Sequence, residues 1–201
     1  LEPDILKDTI PLMEKDNLDI LFVNINKING DSKLIASNIA GIKGIGVEFV
    51  GITELTLERA LDFNRFFGPA YIANAEVFSK IGPFNSEILI EDWEYMLRCI
   101  DAKLLFGYLP KPLVNYREHG ENSWKRVFFI LEHNLKILNN YKTIGNHKKR
   151  LGVQYNKVIN ALLLDKKFLQ TEWNQLNLSM KSQQFSVIDF FPSMIKTLLN
   201  F

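Results

Sequence analysis

The stretch Ile81-Gly82-Pro83-Phe84-Asn85-Ser86-Glu87-Ile88-Leu89-Ile90-Glu91-Asp92-Trp93-Glu94-Tyr95-Met96-Leu97-Arg98 decides how the chain reads. Glu76 to Ile81 has helical character, and Gly82 supplies a residue without Cβ to stop it. Pro83 to Leu89 reads as a loop. Trp93, Met96, Leu97 and Ile100 then repeat at helical spacing, which places Glu91 and Asp92 in the first turn of a new helix. A first turn offers free backbone N–H groups and the positive end of the helix dipole, so a carboxylate there is both oriented and favoured as an anion. Two readings stand side by side: plain helix capping, and a carboxylate held ready to accept a proton.

Upstream, Thr56 can cap a helix running to about Phe66, with Gly68-Pro69 stopping it before a short apolar segment, Ala70 to Ala73. Asp19 to Lys27 has strand-like density. Asn29-Gly30 offers the φ > 0 dipeptide of a tight turn before Leu34-Ile35, so a β-hairpin is predicted. The glycines at 41, 44 and 46 do not make a dinucleotide fingerprint, because no strand feeds directly into a helix around them; a loop is predicted. At the start, Ile5, Leu6, Ile10 and Met13 could share a helical face that Pro11 would interrupt.

Downstream, Lys103 to Tyr108 and Leu113 to Arg117 read as strands on either side of a Pro110-Lys111-Pro112 turn. After Ser123 the pattern changes. Trp124, Val127, Phe128, Leu131, Leu135 and Leu138 form one apolar stripe, and Leu151, Tyr155, Val158, Ile159 and Leu162 a second. A shorter helix is predicted over Leu169 to Leu176, and Pro192 opens or kinks a last one. The change from a mixed α/β half to a helical tail falls near Glu121, giving domains 1–122 and 123–201.

The 201 residues, 47% hydrophobic, are enough for a buried core. Lys and Arg total 24 against 23 Asp and Glu, a balance that gives no field pointing to nucleic acid. The single cysteine, Cys99, fits a reducing compartment. No apolar run approaches the roughly 20 residues of a spanning helix. Leu1-Glu2-Pro3-Asp4 lacks signal-peptide character and reads as a sequence entered partway through. Phe185 to Phe201 is expected to pack on the domain itself, with docking at a membrane or in a partner groove as the rival.

Three groups of residues then fall in one order: Gly68-Pro69-Ala70; Ile81-Gly82-Pro83-Phe84 leading into Glu91-Asp92 and Arg98; and Tyr116-Arg117-Glu118-His119 with Asn122-Ser123. Together they resemble the second half of the family 2 glycosyltransferases of GT-A type, in which an "iGxf" turn leads to an "EDxxxxxR" helix and then to "YRxH". The resemblance covers roughly Leu1 to Trp124, and the combined pattern is more specific than any of its pieces.

That resemblance implies a partial GT-A α/β fold, a mixed sheet with packed helices followed by an α-helical tail. It implies inverting transfer of a sugar from a nucleotide-diphosphate sugar to a saccharide or lipid-linked acceptor, in bacterial cell-surface polysaccharide synthesis. Asp92 would be the general base, and Glu91 would bind acceptor hydroxyls or brace the loop. Gly68, Asn74, Arg98 and Arg117 would contact substrate, with Trp93 carried beside its core reading. His119 would ligate Mg²⁺ or Mn²⁺. The family's Asp-x-Asp motif does not occur in the chain. It is therefore expected upstream of Leu1, with the donor site mostly absent and the chain alone inactive. The expected place is the cytoplasm, with a peripheral position at the inner face of the plasma membrane. The alternative is a non-catalytic binding or scaffolding module of GT-A shape.

Overall fold

The computed structural model describes residues 2–40, 51–53, 55–62, 64–66, 68, 70–119, 126–164 and 170–190. The glycine loop at 41–46, Trp124 and the helix expected after Pro192 lie outside them. The chain divides into two compact units, Leu1–Asn122 and Ser123–Phe201.

In the first unit the central strand is β1 (Ile20–Ile28), the most apolar run in this part of the sequence. Along one edge it pairs in parallel with β5 (Phe106–Arg117), from Ile20 opposite Phe106 to Ile28 opposite Arg117. The other edge is shared. β4 (Tyr71–Ala73) pairs antiparallel with Ile20 to Phe22, and β2 (Leu34–Ile39) pairs antiparallel with Ile25 to Ile28. β3 (Gly51–Thr53) closes the far side against β5, giving a mixed sheet in the order β2-β1-β5-β3 with β4 on β1. Helices α1 (Ile5–Asp16), α2 (Leu57–Leu61), α3 (Ala75–Ile81) and α4 (Glu91–Asp101) complete the unit.

Alternation along β1 sends its side chains to two faces. Val23 and Ile25 meet Ile5, Leu113 and Val114, and Leu21 meets Met13 and Leu18, so one face is covered by α1. On the other face Phe22 stacks on Phe66 and Phe106, with ring centroids 5.5 and 6.3 Å apart. Gly107 is needed for the closeness of the α1 side. A Cβ there would lie 2.3 Å from Leu18 Cδ1 and 3.1 Å from Leu21 Cδ1. Gly107→Ala should therefore destabilise the unit by about 1–3 kcal/mol through overpacking, read as a lowered midpoint in denaturant melts.

Four expectations change. α1 runs unbroken through Pro11. Pro11 and Lys7, whose carbonyl loses its partner, are both exposed, so water can take the place of the missing N–H. Its buried face is Ile5, Thr9 and Met13, while Leu6 and Ile10 are exposed. The hairpin turn is longer than Asn29-Gly30. Asn29 Oδ1 accepts from the N–H groups of Asp31 and Lys33, and Ser32, at φ 63°, takes the left-handed conformation. The helix from Thr56 stops at Leu61 rather than Phe66. Thr56 caps it through Arg59 N–H, and side chains close its other end: Trp93 Nε1 donates to the Ala60 carbonyl and Arg65 Nε to that of Arg59. Finally, Pro110-Lys111-Pro112 is not a turn. β5 passes straight through it as a bulge, the partner of β1 jumping from Leu109 at Val23 to Pro112 at Asn24. Two prolines cannot serve a regular ladder, and the bulge removes the need for their N–H groups.

The second unit holds α5 (Val127–Asn140), α6 (His147–Leu164) and α7 (Gln170–Ser182), then a 3-10 turn, Val187–Phe190. Leu131, Leu135 and Leu138 of the first expected stripe are buried, and so is every member of the second. The third helix extends six residues beyond Leu176. Among these apolar residues Asn134 Nδ2 donates to Gln154 Oε1 at 2.9 Å, and Tyr155 OH donates to the Ser179 carbonyl at 2.9 Å. Phe185 and Phe190 pack on Tyr155. No helix among the described residues is long and apolar enough to cross a membrane.

Candidate active site

Asp92 sits half-buried in the first turn of α4, after an N-cap residue, Ile90, that makes no side-chain cap. Its Oδ1 accepts the Trp93 backbone N–H at 2.7 Å and Asn64 Nδ2 at 3.4 Å. Asn64 in turn fixes its own loop, its Oδ1 accepting from Phe66 N–H, and Phe66 is the ring stacked on Phe22 of the sheet. A continuous set of contacts thus leads from β1 to the carboxylate. Gly68 lies directly against it: a Cβ at Gly68 would stand 3.5 Å from Asp92 Cβ and 3.6 Å from Oδ2. A methyl group at residue 68 would fit at ordinary contact distance, whereas a longer side chain would press on the carboxylate. Asp92 therefore does satisfy a first-turn N–H, as capping requires, and it is also oriented by a second element.

Glu91, next to it, is exposed at the helix start. Tyr71, three residues after Gly68, has its phenol pushed up to about 12 by burial first, then by Tyr95, Cys99, Asp92 and Glu91. It stays a neutral O–H. Asn64 and Tyr71 were not singled out in the sequence. The signal for Asn64 was there in part, since an asparagine in Asp62-Phe63-Asn64-Arg65 favours an Asx turn over continued helix.

The other expected site residues take different places. Trp93 is fully buried with its indole N–H given to the Ala60 carbonyl, so it belongs to the core and substrate cannot reach it. Arg98 is a brace rather than a solvated residue or a substrate contact. Its Nε and one terminal nitrogen bind both oxygens of Glu94, and its terminal nitrogens reach the carbonyls of Ile81 and Pro83 at 2.7 and 2.8 Å. It ties the loop before Glu91 to the helix after it. Asn74 lies at the end of β4 away from Gly68 and caps α3, its Oδ1 facing Glu76 N–H at 3.5 Å. Gly82 ends α3 at φ 84°, ψ −173°, a positive-φ stop outside the left-handed helical well. Arg117 reaches the β1–β2 turn, its terminal nitrogens donating to the Asn29 and Gly30 carbonyls at 2.8 Å and to Ser32 Oγ at 3.0 Å.

His119 is exposed just beyond the end of β5. Among the described residues no three His, Cys, Asp or Glu side chains lie together as a metal shell would need. One imidazole is a poor basis for Mg²⁺ or Mn²⁺, which prefer several oxygen donors.

No protein-family profile and no curated protein matches the sequence. Among solved structures, the chain is similar to TarS of S. aureus, residues 1–349, solved in complex with UDP-GlcNAc. The TM-score is 0.57 at 14% identity, over 90% of this chain. The chain has a glycosyltransferase-like fold. It spans about half the length of that TarS chain, 52%.

Proposed function

We propose that the Asp92 cluster is the acceptor-side catalytic centre of an inverting glycosyltransferase of family 2, using a nucleotide-diphosphate sugar as donor. The reading rests on one observation: Asp92 is gripped at Oδ1 by Trp93 N–H and Asn64 and faced by Gly68, on a fold shared with a UDP-GlcNAc-bound protein. A sugar hydroxyl is a weak nucleophile. In this reading the Asp92 carboxylate takes the hydroxyl proton as its oxygen bonds to the anomeric carbon, while the bond from that carbon to the diphosphate breaks and the diphosphate leaves with its electron pair. Glu91, exposed at the preceding position, is suited to accept hydrogen bonds from other acceptor hydroxyls. The acceptor class is a saccharide or a lipid-linked saccharide, and the full activity belongs to a protein in which this chain is joined by a donor-binding part.

The test follows the product. A protein carrying this chain, given an α-linked nucleotide sugar and a saccharide acceptor, should yield a β-linked product by NMR of the anomeric proton; retention would refute the reading. Gly68→Ala should be tolerated, since its Cβ makes only ordinary contacts. Gly68→Leu should cover Asp92 and cost on the order of 10²-fold in turnover, as misplacement near the chemistry does, with an unchanged melt.

A further inference from the structure

The near-zero charge of the whole chain conceals two opposite halves. Residues 1–122 carry 12 Lys and Arg against 19 Asp and Glu, a formal −7, whereas residues 123–201 carry 12 against 4, a formal +8. A unit this basic attracts anionic surfaces by its field alone.

The cations are not spread evenly. His147, Lys148, Lys149 and Arg150 fill the first turn of α6 without an acid among them, at the helix end whose dipole is already positive. Exposed Lys142 precedes them in the connection from α5. Burial first, then Arg150 and Lys142, hold the His147 imidazole below its ordinary range. Farther along α6, exposed Lys149, Val153 and Lys157 recur every four residues, so one stripe of the helix alternates cation, aliphatic and cation.

An apolar tip is carried by the turn that packs on α6. Ile188, in the 3-10 turn, is 80% exposed, although its neighbours Phe185 and Phe190 are packed against Tyr155. The same Phe185 ring has Lys148 Nζ 5.4 Å from its centroid and lies over Gly152 of α6. The turn is thus anchored on α6 by two rings, one of them facing Lys148, and it presents an exposed isoleucine. A soluble polyanion would use the lysines and gain nothing from Ile188. A bilayer uses both, through phosphate headgroups for the cations and the headgroup–acyl boundary for the aliphatic side chain.

We propose that the Ser123–Phe201 unit docks on the surface of an anionic phospholipid bilayer, with Lys142, Lys148 and Lys149 on the headgroups and Ile188 entering the interface. The interaction is peripheral, in keeping with the lack of a spanning helix among the described residues. It does not depend on the catalytic reading, because it needs neither donor nor acceptor.

Co-sedimentation of the chain with vesicles tests it. Phosphatidylcholine vesicles containing phosphatidylglycerol should pellet the protein, pure phosphatidylcholine vesicles should not, and high salt should release it. Reversing Lys142, Lys148 and Lys149 to Glu should weaken binding by more than roughly a hundredfold, the loss expected from removing three basic residues near such a surface. Ile188→Asp should weaken it roughly tenfold. If the triple reversal alters the melt, Lys142→Gln with Lys149→Gln serves instead, with an expected loss of roughly thirtyfold. Equal pelleting by the two kinds of vesicle would overturn the proposal, as would wild-type binding by a folded charge variant. So would full competition by soluble polyphosphate together with undiminished binding of Ile188→Asp, which would identify a polyanion site instead.

Discussion

Asp92→Asn should lower turnover by about 10² to 10⁴, roughly 3 to 5 kcal/mol of transition-state stabilisation, while leaving donor binding in place. The amide keeps the size of the side chain and an oxygen that can still accept from Trp93 N–H at the position now 2.7 Å away. It removes only the capacity to take a proton. Glu91→Gln should cost less, since Glu91 is exposed and serves orientation. The measurement is kcat and KM for sugar transfer beside a thermal melt for each variant. A capping acid predicts the opposite pattern, a loss of about 1 kcal/mol in stability with chemistry nearly unchanged. If Asp92→Asn turns over normally and melts early, capping is the whole of its role.

The largest effect on stability is expected at Arg98. Glu94 is only 6% exposed, and the guanidinium binds both of its oxygens while also serving two loop carbonyls. Removing the cation leaves a buried carboxylate unpaired, which typically costs about 3–5 kcal/mol. Arg98→Met should show that loss in denaturant melts, and Arg98→Lys should recover only part of it, because an ammonium cannot fork to a carboxylate and two carbonyls together. The double change Arg98→Met with Glu94→Gln should be more stable than Arg98→Met alone. Were the double and single variants equally unstable, the loss would come from the loop carbonyls rather than from the stranded charge.

Local pattern served the sequence reading well where one principle governed. The start of α4 at Glu91 followed from helical spacing, the α3 stop from Gly82, and the α6 face from the recurrence of Leu151, Tyr155, Val158, Ile159 and Leu162. It served poorly where a distant residue decided. Pro11 suggested a break, yet its side of α1 faces water. Pro110 and Pro112 suggested a turn, yet β1, some eighty residues earlier, holds them in one strand. In the candidate site, Asp92 and Gly68 could be named from their motif, but their mutual contact could not, because a fold brings together residues 24 positions apart without leaving a periodic trace. Asn64 escaped notice for the same reason. The core place of Trp93 followed from its helical spacing, whereas Arg98 carries the chemical group of a binding site and only its partners reveal that it is committed to structure.

The parallel pairing of β1 with β5 also sets a timetable for synthesis. Ile20 meets Phe106, so the strand at the heart of the first unit leaves the ribosome 86 residues ahead of the neighbour that lines its longer edge. At ordinary elongation rates of about 5 to 20 residues per second, that is a wait of roughly 4 to 17 s. During it β2 and then β4 can cover one edge of the strand, while the edge that β5 will line stays open to any other chain. Yield of folded protein should therefore depend on translation speed and on chaperone supply between residues 30 and 117 more than on the final stability of the sheet.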